Sequence, residues 1–579
     1  MKENQSKMPV ADYLSAWMRG VFEVCFKDSG YDFSRVSVVT TSNPEFGEYQ
    51  CNEAMALGKV LRKKPRDVAQ EVLDKAGRNE AVEKLEIAGP GFINIHLKSE
   101  WLLGCLQDML AGQTLGVPAV GEGKTVVLDY SSPNVAKPMH IGHIRSTIIG
   151  NSLDRIYRLM GYKVVADNHV GDWGTQFGII IMGYRTFADQ AAMEQSPVEE
   201  LERIYVKSYE QTKTDEEWLK QCRQELVKLQ SGDAANVALW KQFVQLSLGE
   251  FERIYQRLGV SFDIVRGESY YNEMLKDTVE NLEKKGLARE SEGATVVFLE
   301  EEKLPVCIVR KSDGGFNYAA TDLATVASRV REFGPDKIIY VTDERQQGHF
   351  RQVFAICRRL GYTTDMEHVW FGLMRLPEGT FSTRQGNVIK LEKMLDEAEA
   401  RALKLVKENS PEMSEAQQAE IARAVGIGAV KYSDLSQNPQ TTITFSWDKA
   451  LSMDGNSAPY LQYAYARIAS VRDKYAEKFP GMDPEKYPMQ FSEPIERALA
   501  VKLVRFPEVV IKAGHNFKPS AIADYLFDIA QTYSNFYQNV PFLKAPEGLR
   551  ESRVRLCGIT ARVLGQGLKL LGIDTPARI

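Results

Sequence analysis

The chain predicts an α/β protein: a parallel sheet with crossover helices, preceded by an α+β region and followed by an all-α bundle. Short apolar runs recur in the middle of the chain with helical stretches between them, which is the pattern of a parallel sheet. A long charged segment interrupts that alternation once, and past residue 455 only helical periodicity remains. With 579 residues there is too much chain for one core, and domains of roughly 100–200 residues divide it into three or four.

Residues 1–118 make the first unit. "VADYLSAWMRGVFEVCF" is amphipathic, "AMALGKVLRKKPRDVAQEVL" is helical with a break at Pro65, and "KLEIAGPGFINIHL" is a turn between short strands. "TLGVPAVGEGK" then reads as a linker. The second unit, 119–455, carries strands at Val126–Tyr130, Lys163–Ala166, Lys337–Thr342 and His368–Met374, with a helical insertion near 183–290. Residues 456–579 form the third. In it Leu461, Ala464, Ile468, Val471 and Tyr475 share one helical face, and Cys557, Ala561, Leu564, Leu568 and Leu571 share another.

Composition narrows the class. With 44% hydrophobic and 26% charged residues the chain is ordinary globular protein, without a run of 18 apolar residues or a signal-peptide core, so no membrane partner and a cytoplasmic location are expected. Seven scattered cysteines, never spaced C-x-x-C, argue against a disulfide framework and against protein-bound zinc. The net charge of −5 conceals an asymmetry. Residues 456–579 hold 17 Lys and Arg against 12 Asp and Glu, a surplus of +5 on a body of −10. Such a tail suits a polyanion partner as well as a merely solvated surface.

One stretch concentrates chemistry. "SSPNVAKPMHIGHIRSTIIGNSLDRIY", Ser131–Tyr157, joins a strand to a helix whose Ile149, Leu153, Ile156 and Met160 share a face, and it sets His140 and His143 around Gly142. A helix N-terminus beyond the carboxyl end of a parallel strand offers free N–H groups to an anion, and a phosphate is the expected guest. Gly142 can let a base or phosphate approach the backbone, and the imidazoles add donors. Read alone, H-x-G-H is equally a helix start with two incidental histidines. No G-x-x-x-x-G-K-[ST] sequence occurs, which removes the P-loop explanation. A second polar, glycine-bearing loop, "GTFSTRQGNVIKL", follows the strand "HVWFGLM".

These segments, with "DNHVGDWGTQFG", "YAATDLA", "YVTDERQQGHF", "WDKALSMDGNSAPYLQYAYARI" and the closing "LKLLGIDTPARI", resemble the arginyl-tRNA synthetase family of class I aminoacyl-tRNA synthetases over essentially the whole length. The resemblance implies a Rossmann-type catalytic domain, with ATP as substrate, Mg²⁺ accompanying the nucleotide, and L-arginine and tRNA(Arg) as partners; a monomer is the default expectation. It implies that His140, Gly142 and His143 lie at the ATP site, and that Ser132, Asn134, His143, Tyr318, Asp322 and Gln346 bind arginine. Asp322 supplies the carboxylate a guanidinium needs, with Tyr318 four residues earlier on the same helical face. Without the resemblance Asp322 reads as a helix-surface acid. Where relatives read KMSKS, this chain has Thr380, Phe381, Ser382, Thr383 and Arg384. Arg384 can supply a cation, with Ser382 and Thr383 beside it, and Lys137 can reach the triphosphate from the other side or remain a solvated lysine.

In the third unit Tyr460, Tyr463, Arg467 and Lys474 line the face opposite the apolar stripe. They suit the stacking and phosphate contacts by which unpaired RNA bases are held, or packing against neighbouring helices. The resemblance further implies that "LRKKPR", Leu61–Arg66, meets the tRNA's outer corner, although such a charge run also reads as solvated surface. Alternative readings are another class I synthetase, a small-molecule nucleotidyltransferase sharing H-x-G-H, or a catalytically inactive tRNA-binding homologue.

Overall fold

A computed structural model of the chain describes residues 8–41, 43–375 and 390–579. Helix α1 (Val10–Phe26) buries Leu14, Met18 and Phe22 and packs on β1 (Val38–Thr40). That strand edges an antiparallel sheet with β2 (Tyr49–Cys51), β3 (Val82–Ala88) and β4 (Phe92–Leu97), in the order β1-β2-β4-β3. Pro65 opens the helix Pro65–Lys75, where a missing N–H leaves no bond unmade.

The central sheet is parallel throughout. Its strands are β5 (Thr125–Asp129), β6 (Lys163–Asn168), β7 (Ile264–Val265), β11 (Lys337–Asp343) and β12 (Asp365–Phe371), in the order β12-β11-β5-β6-β7. After β5 runs α2 (Ile141–Leu159), whose Ile149, Leu153 and Ile156 are buried as their spacing requires. Between β6 and β7 five helices fill residues 176–258, the last being α3 (Ala234–Leu258).

An antiparallel sheet of β8 (Ala288–Ser291), β9 (Ala294–Val297) and β10 (Cys307–Arg310) then precedes α4 (Tyr318–Phe333). Neither this sheet nor β7 is foreseen from the sequence. These strands have two to four residues and "ARES" exposes its charged pair, so no alternation accumulates.

Helix α5 (Gln347–Leu360) links β11 to β12, which ends at Phe371 rather than Met374. Gly372 lies so close to the Thr441 backbone that a Cβ would stand 2.8 Å from its carbonyl oxygen. The chain turns there into β13 (Met374–Arg375), parallel to β14 (Ile443–Thr444). Because the chain passes to β7 on one side of β5 and to β11 and β12 on the other, the switch point opens at the carboxyl ends of β5 and β11.

Helices α6 (Glu415–Leu435), α7 (Ala458–Lys478), α8 (Phe506–His515), α9 (Ser520–Asn539) and α10 (Leu549–Leu570) dominate the remainder. The two apolar stripes read from the sequence are buried between them. The first unit docks on this bundle: Glu508 Oε1, on α8, accepts from Ala11 N and Tyr49 OH, both at 2.8 Å. Among the described residues, no helix is long and apolar enough to cross a membrane.

Candidate active site

The loop leaving β5 is strained. Ser131, Ser132 and Ala136 have φ of 74°, 49° and 61°, and left-handed backbone at such residues costs about 1–3 kcal/mol each. The surrounding elements hold it. Ser131 N donates to Ser146 Oγ on α2 at 2.9 Å, and Ser132 N donates to Asn168 Oδ1 on β6 at 3.1 Å. Val135 N reaches Gly171 O at 3.0 Å, and Ala136 N reaches Ser247 Oγ on α3 at 3.0 Å. Tyr255 OH, also on α3, lies 2.8 Å from Ser131 Oγ and accepts from Asn168 Nδ2 at 3.1 Å. The helical insertion therefore braces the signature loop directly.

His140 is the N-cap of α2. Its Nδ1 accepts from Gly142 N at 3.0 Å, while His143 Nδ1 accepts from His140 N at 3.1 Å, and the rings stack at 3.9 Å. With both Nδ1 atoms acting as acceptors, each ring carries its proton on Nε2 and keeps that N–H for another partner. Burial, followed by Lys137 and Arg345, lowers the His140 pKa; burial, followed by His140 and Lys137, lowers that of His143 to about 3. The pair is neutral at physiological pH, so it offers hydrogen bonds rather than positive charge. Gly142 has a local reason as well: a Cβ there would stand 2.8 Å from the His140 ring.

Two cavities open at the switch point. One, of about 420 Å³, is lined by His140, Gly142, His143, Asp343 and Phe371. The other, of about 520 Å³, is lined by Asp129, His169, Glu268, Tyr318, Asp322 and His349. Ser132, Asn134, Thr342, Arg345 and Gln346 line both, so the cavities share a wall.

The second cavity is built for a cation. Asp322 stands one turn below Tyr318 on α4, and Tyr318, 70% exposed, marks the mouth. Asp322 Oδ2 lies 2.5 Å from His349 Nε2. Burial and the nearby anions of Asp322 and Asp172 push Glu268 up to about 8. Beneath, buried Arg329 binds Asp129 Oδ2 at 2.6 Å and Asp167 Oδ2 at 2.7 Å, so one cation is shared between the two floor carboxylates. Asp322 and Glu268 are left to meet a ligand.

The structure thus gathers His140, Gly142 and His143 at one cavity, Tyr318 and Asp322 at the other, and Ser132, Asn134 and Gln346 on the wall between. Lys137 lines neither; its ammonium stands 4.6 Å over the ring of Tyr205, in the insertion helix Pro197–Thr212. Ser382, Thr383 and Arg384 lie outside the described residues. Sequence reasoning missed Glu268, Arg345 and His349. The acid in "GESYY" has no motif around it, and only the fold brings it opposite Asp322.

Metal donors are sparse. Among the described residues, no group of three or more His, Cys, Asp or Glu could hold a metal ion. The first cavity's one described carboxylate, Asp343, is engaged at both oxygens by Arg345, at 2.7 and 3.1 Å. The side chains there do not form a magnesium site of their own.

On α7 the nucleic-acid candidates separate. Tyr463 is 38% exposed, and the Arg467 guanidinium is sandwiched 4.7 Å from its ring and 5.1 Å from that of Tyr537. Lys474 is exposed. Tyr460 packs edge-on to Phe527 at 5.7 Å, with its hydroxyl 3.4 Å from Ser534 Oγ.

Much of the basic surplus is spent inside the molecule. Arg497, Arg505 and Arg562 donate to Leu97 O, Thr40 Oγ1 and Gly112 O of the first unit. Arg550, Arg553 and Arg555 pair with Glu551, Glu496 and Glu485. In the "LRKKPR" run, Lys63 pairs with Glu71 and Arg66 Nη1 donates to Gly89 O.

Three family models match the chain: tRNA synthetases class I (R), catalytic domain, over residues 105–447; DALR anticodon binding domain over 461–579; and Arginyl tRNA synthetase N terminal domain over 13–97. The chain is 46% identical over 539 residues to the arginine–tRNA ligase of Fusobacterium nucleatum, covering 93% of this chain and 94% of that protein. Its fold is similar to the arginyl-tRNA synthetase of Plasmodium falciparum, with a TM-score of 0.85 and 26% identity over 98% of this chain and 99% of that one. It is likewise similar to the Thermus thermophilus arginyl-tRNA synthetase, with a TM-score of 0.82 and 25% identity over 98% and 100%.

Proposed function

The chain belongs to the arginyl-tRNA synthetase family, an arginine–tRNA ligase of class I, and on that premise we propose how its two joined cavities divide the reaction. The observation that carries the proposal is the shared wall. A cavity with two carboxylates takes the guanidinium, a cavity at a helix N-terminus takes the nucleotide, and Ser132, Asn134 and Gln346 between them face the α-amino and carboxylate end of arginine.

In the first step a carboxylate oxygen of arginine attacks the α-phosphorus of ATP, the bond to the β-phosphate bridging oxygen breaks, and pyrophosphate leaves. No proton has to move, because the nucleophile is already an anion. The protein's task is to align the two and to stabilise charge on the phosphoryl oxygens. His140 and His143 do this with neutral Nε2–H donors, helped by the positive end of the α2 dipole. In the second step the oxygen of a 2′-hydroxyl at the tRNA 3′ end attacks the arginyl carbonyl carbon, the bond from that carbon to the AMP phosphate oxygen breaks, and the hydroxyl proton leaves with AMP. Mg²⁺ accompanies the nucleotide's own phosphates, and no step is routed through it.

Lys137 and Arg384 are read as the cations that stand in for the lysines missing from the second signature, with Ser382 and Thr383 beside Arg384. The division into 1–118, 119–455 with an insertion near 183–290, and 456–579 serves this scheme, with outer-corner, catalytic and anticodon-loop roles in turn. On α7, Tyr463, Arg467 and Lys474 are the residues offered to the anticodon loop; Tyr460 acts through packing. The chain is read as acting as a monomer, with its partners in the cytoplasm.

Asp322→Asn tests the assignment of the guanidinium cavity. In pyrophosphate exchange it should raise the arginine KM by about 100-fold or more and leave the ATP KM within twofold, since it leaves a buried cation short of its anion. An unchanged arginine KM would remove Asp322 from the site. Lys137→Ala should slow exchange by roughly 10–100-fold while tRNA binding stays intact, as loss of one transition-state cation predicts; parental exchange rates would refute its role.

A further inference from the structure

We propose that His349 is a positioning residue for arginine specificity: by donating Nε2–H to Asp322 Oδ2 it fixes that carboxylate and reserves Oδ1 for the substrate. The inference rests on the reading of Asp322 as the guanidinium acceptor.

The contact measures 2.5 Å, and both side chains line the same cavity. An ionised carboxylate can only accept, so the proton between them belongs to His349 Nε2. The imidazole is held in place by its surroundings. Its ring meets that of Phe350 edge-on at 5.3 Å, and Phe350 in turn packs on Tyr340 at 4.6 Å and on His368 at 4.7 Å. His368 Nε2 is itself fixed, 2.7 Å from Thr342 Oγ1. Asp322 could otherwise turn about its side-chain torsions toward solvent at the cavity mouth.

A guanidinium presents its N–H groups as a rigid planar fork. With Oδ2 of Asp322 engaged by His349, Oδ1 is the open acceptor for one prong, and Glu268, the second carboxylate on that side of the cavity, is the acceptor offered to the others. The site thus reads the spread of a guanidinium across two elements, α4 and the turn at Glu268, where a compact ammonium would reach one acceptor only.

The test compares the parent enzyme with His349→Leu, His349→Gln and Asp322→Asn in tRNA-supported pyrophosphate exchange at pH 8. Glutamine retains an N–H donor for Asp322. His349→Leu should raise the arginine KM about tenfold at pH 8 with kcat and ATP KM within twofold, the loss expected for one hydrogen bond to a charged group. His349→Gln should stay within about threefold of the parent, because the donor to Asp322 is kept. A parental arginine KM in His349→Leu, or a loss in His349→Gln as large as in His349→Leu, overturns the inference. If Asp322→Asn weakens arginine while His349→Leu does not, the positioning role alone fails; if Asp322→Asn leaves the arginine KM unchanged, the underlying assignment of Asp322 fails as well.

Discussion

Glu268 shows what a residue gains from being placed rather than patterned. Its carboxyl is pushed up to about 8, so below that pH the free protein holds it protonated. A guanidinium favours the ionised form, so arginine binding releases the proton, and affinity climbs with pH until about 8 and then levels. Calorimetry of arginine binding at pH 7 in buffers of different ionisation enthalpy should therefore report net proton release, largely abolished in Glu268→Gln; proton uptake would contradict the assignment. The two signature histidines behave in the opposite way. Their lowered pKa values keep them neutral across physiological pH, so charging of this pair should contribute no inflection to kcat between pH 6 and 8. His143→Ala should still cost roughly 10²–10³ in kcat, since the lost group is a donor rather than a base. H-x-G-H was legible because a short motif carries it. Glu268 and His349 were not, because they reach Asp322 from a turn some 50 residues upstream and a helix 27 residues downstream.

At the scale of elements, α2 is more than a phosphate-facing terminus. Arg145, 1% exposed, binds both oxygens of Asp434 on α6, at 2.9 and 3.1 Å. Its remaining donors go to Gly372 O, Pro439 O and Thr441 O. One guanidinium thus holds the first signature helix, α6 and the backbone leading from β12 toward the second signature. Arg145→Met should leave Asp434 buried and unpaired, costing about 3–5 kcal/mol and visibly lowering the urea unfolding midpoint; an unshifted midpoint would show that the pair is dispensable. Periodicity revealed which face of α2 is buried, but it could not reveal a bond across 289 residues. On α7 the four candidates looked alike at steps of three and four. Packing divides them, since Tyr460 is engaged with α9 whereas Arg467 lies between two partly exposed tyrosine rings. Tyr463→Ala and Arg467→Ala should weaken tRNA binding by about 1–3 kcal/mol each, while Tyr460→Ala should lower stability more than affinity. Equal effects of all three on affinity would contradict that division.

Over the whole molecule, the all-parallel core was legible in alternating apolar runs, because a sheet buried on both faces has to be written that way. How the ends meet was not. Glu508, Arg497, Arg505 and Arg562 tie the first unit to the last across some 400 to 500 residues. Six of the tail's 17 cations are thus engaged inside the molecule, so its +5 does not map directly onto an RNA-facing surface. The two joined cavities are read as activating one amino acid only, and pyrophosphate exchange with ATP and each of the twenty amino acids, with and without tRNA(Arg), checks this. Exchange is expected with arginine alone, and only when tRNA is present; exchange supported by another amino acid, or none under any condition, would rule that reading out.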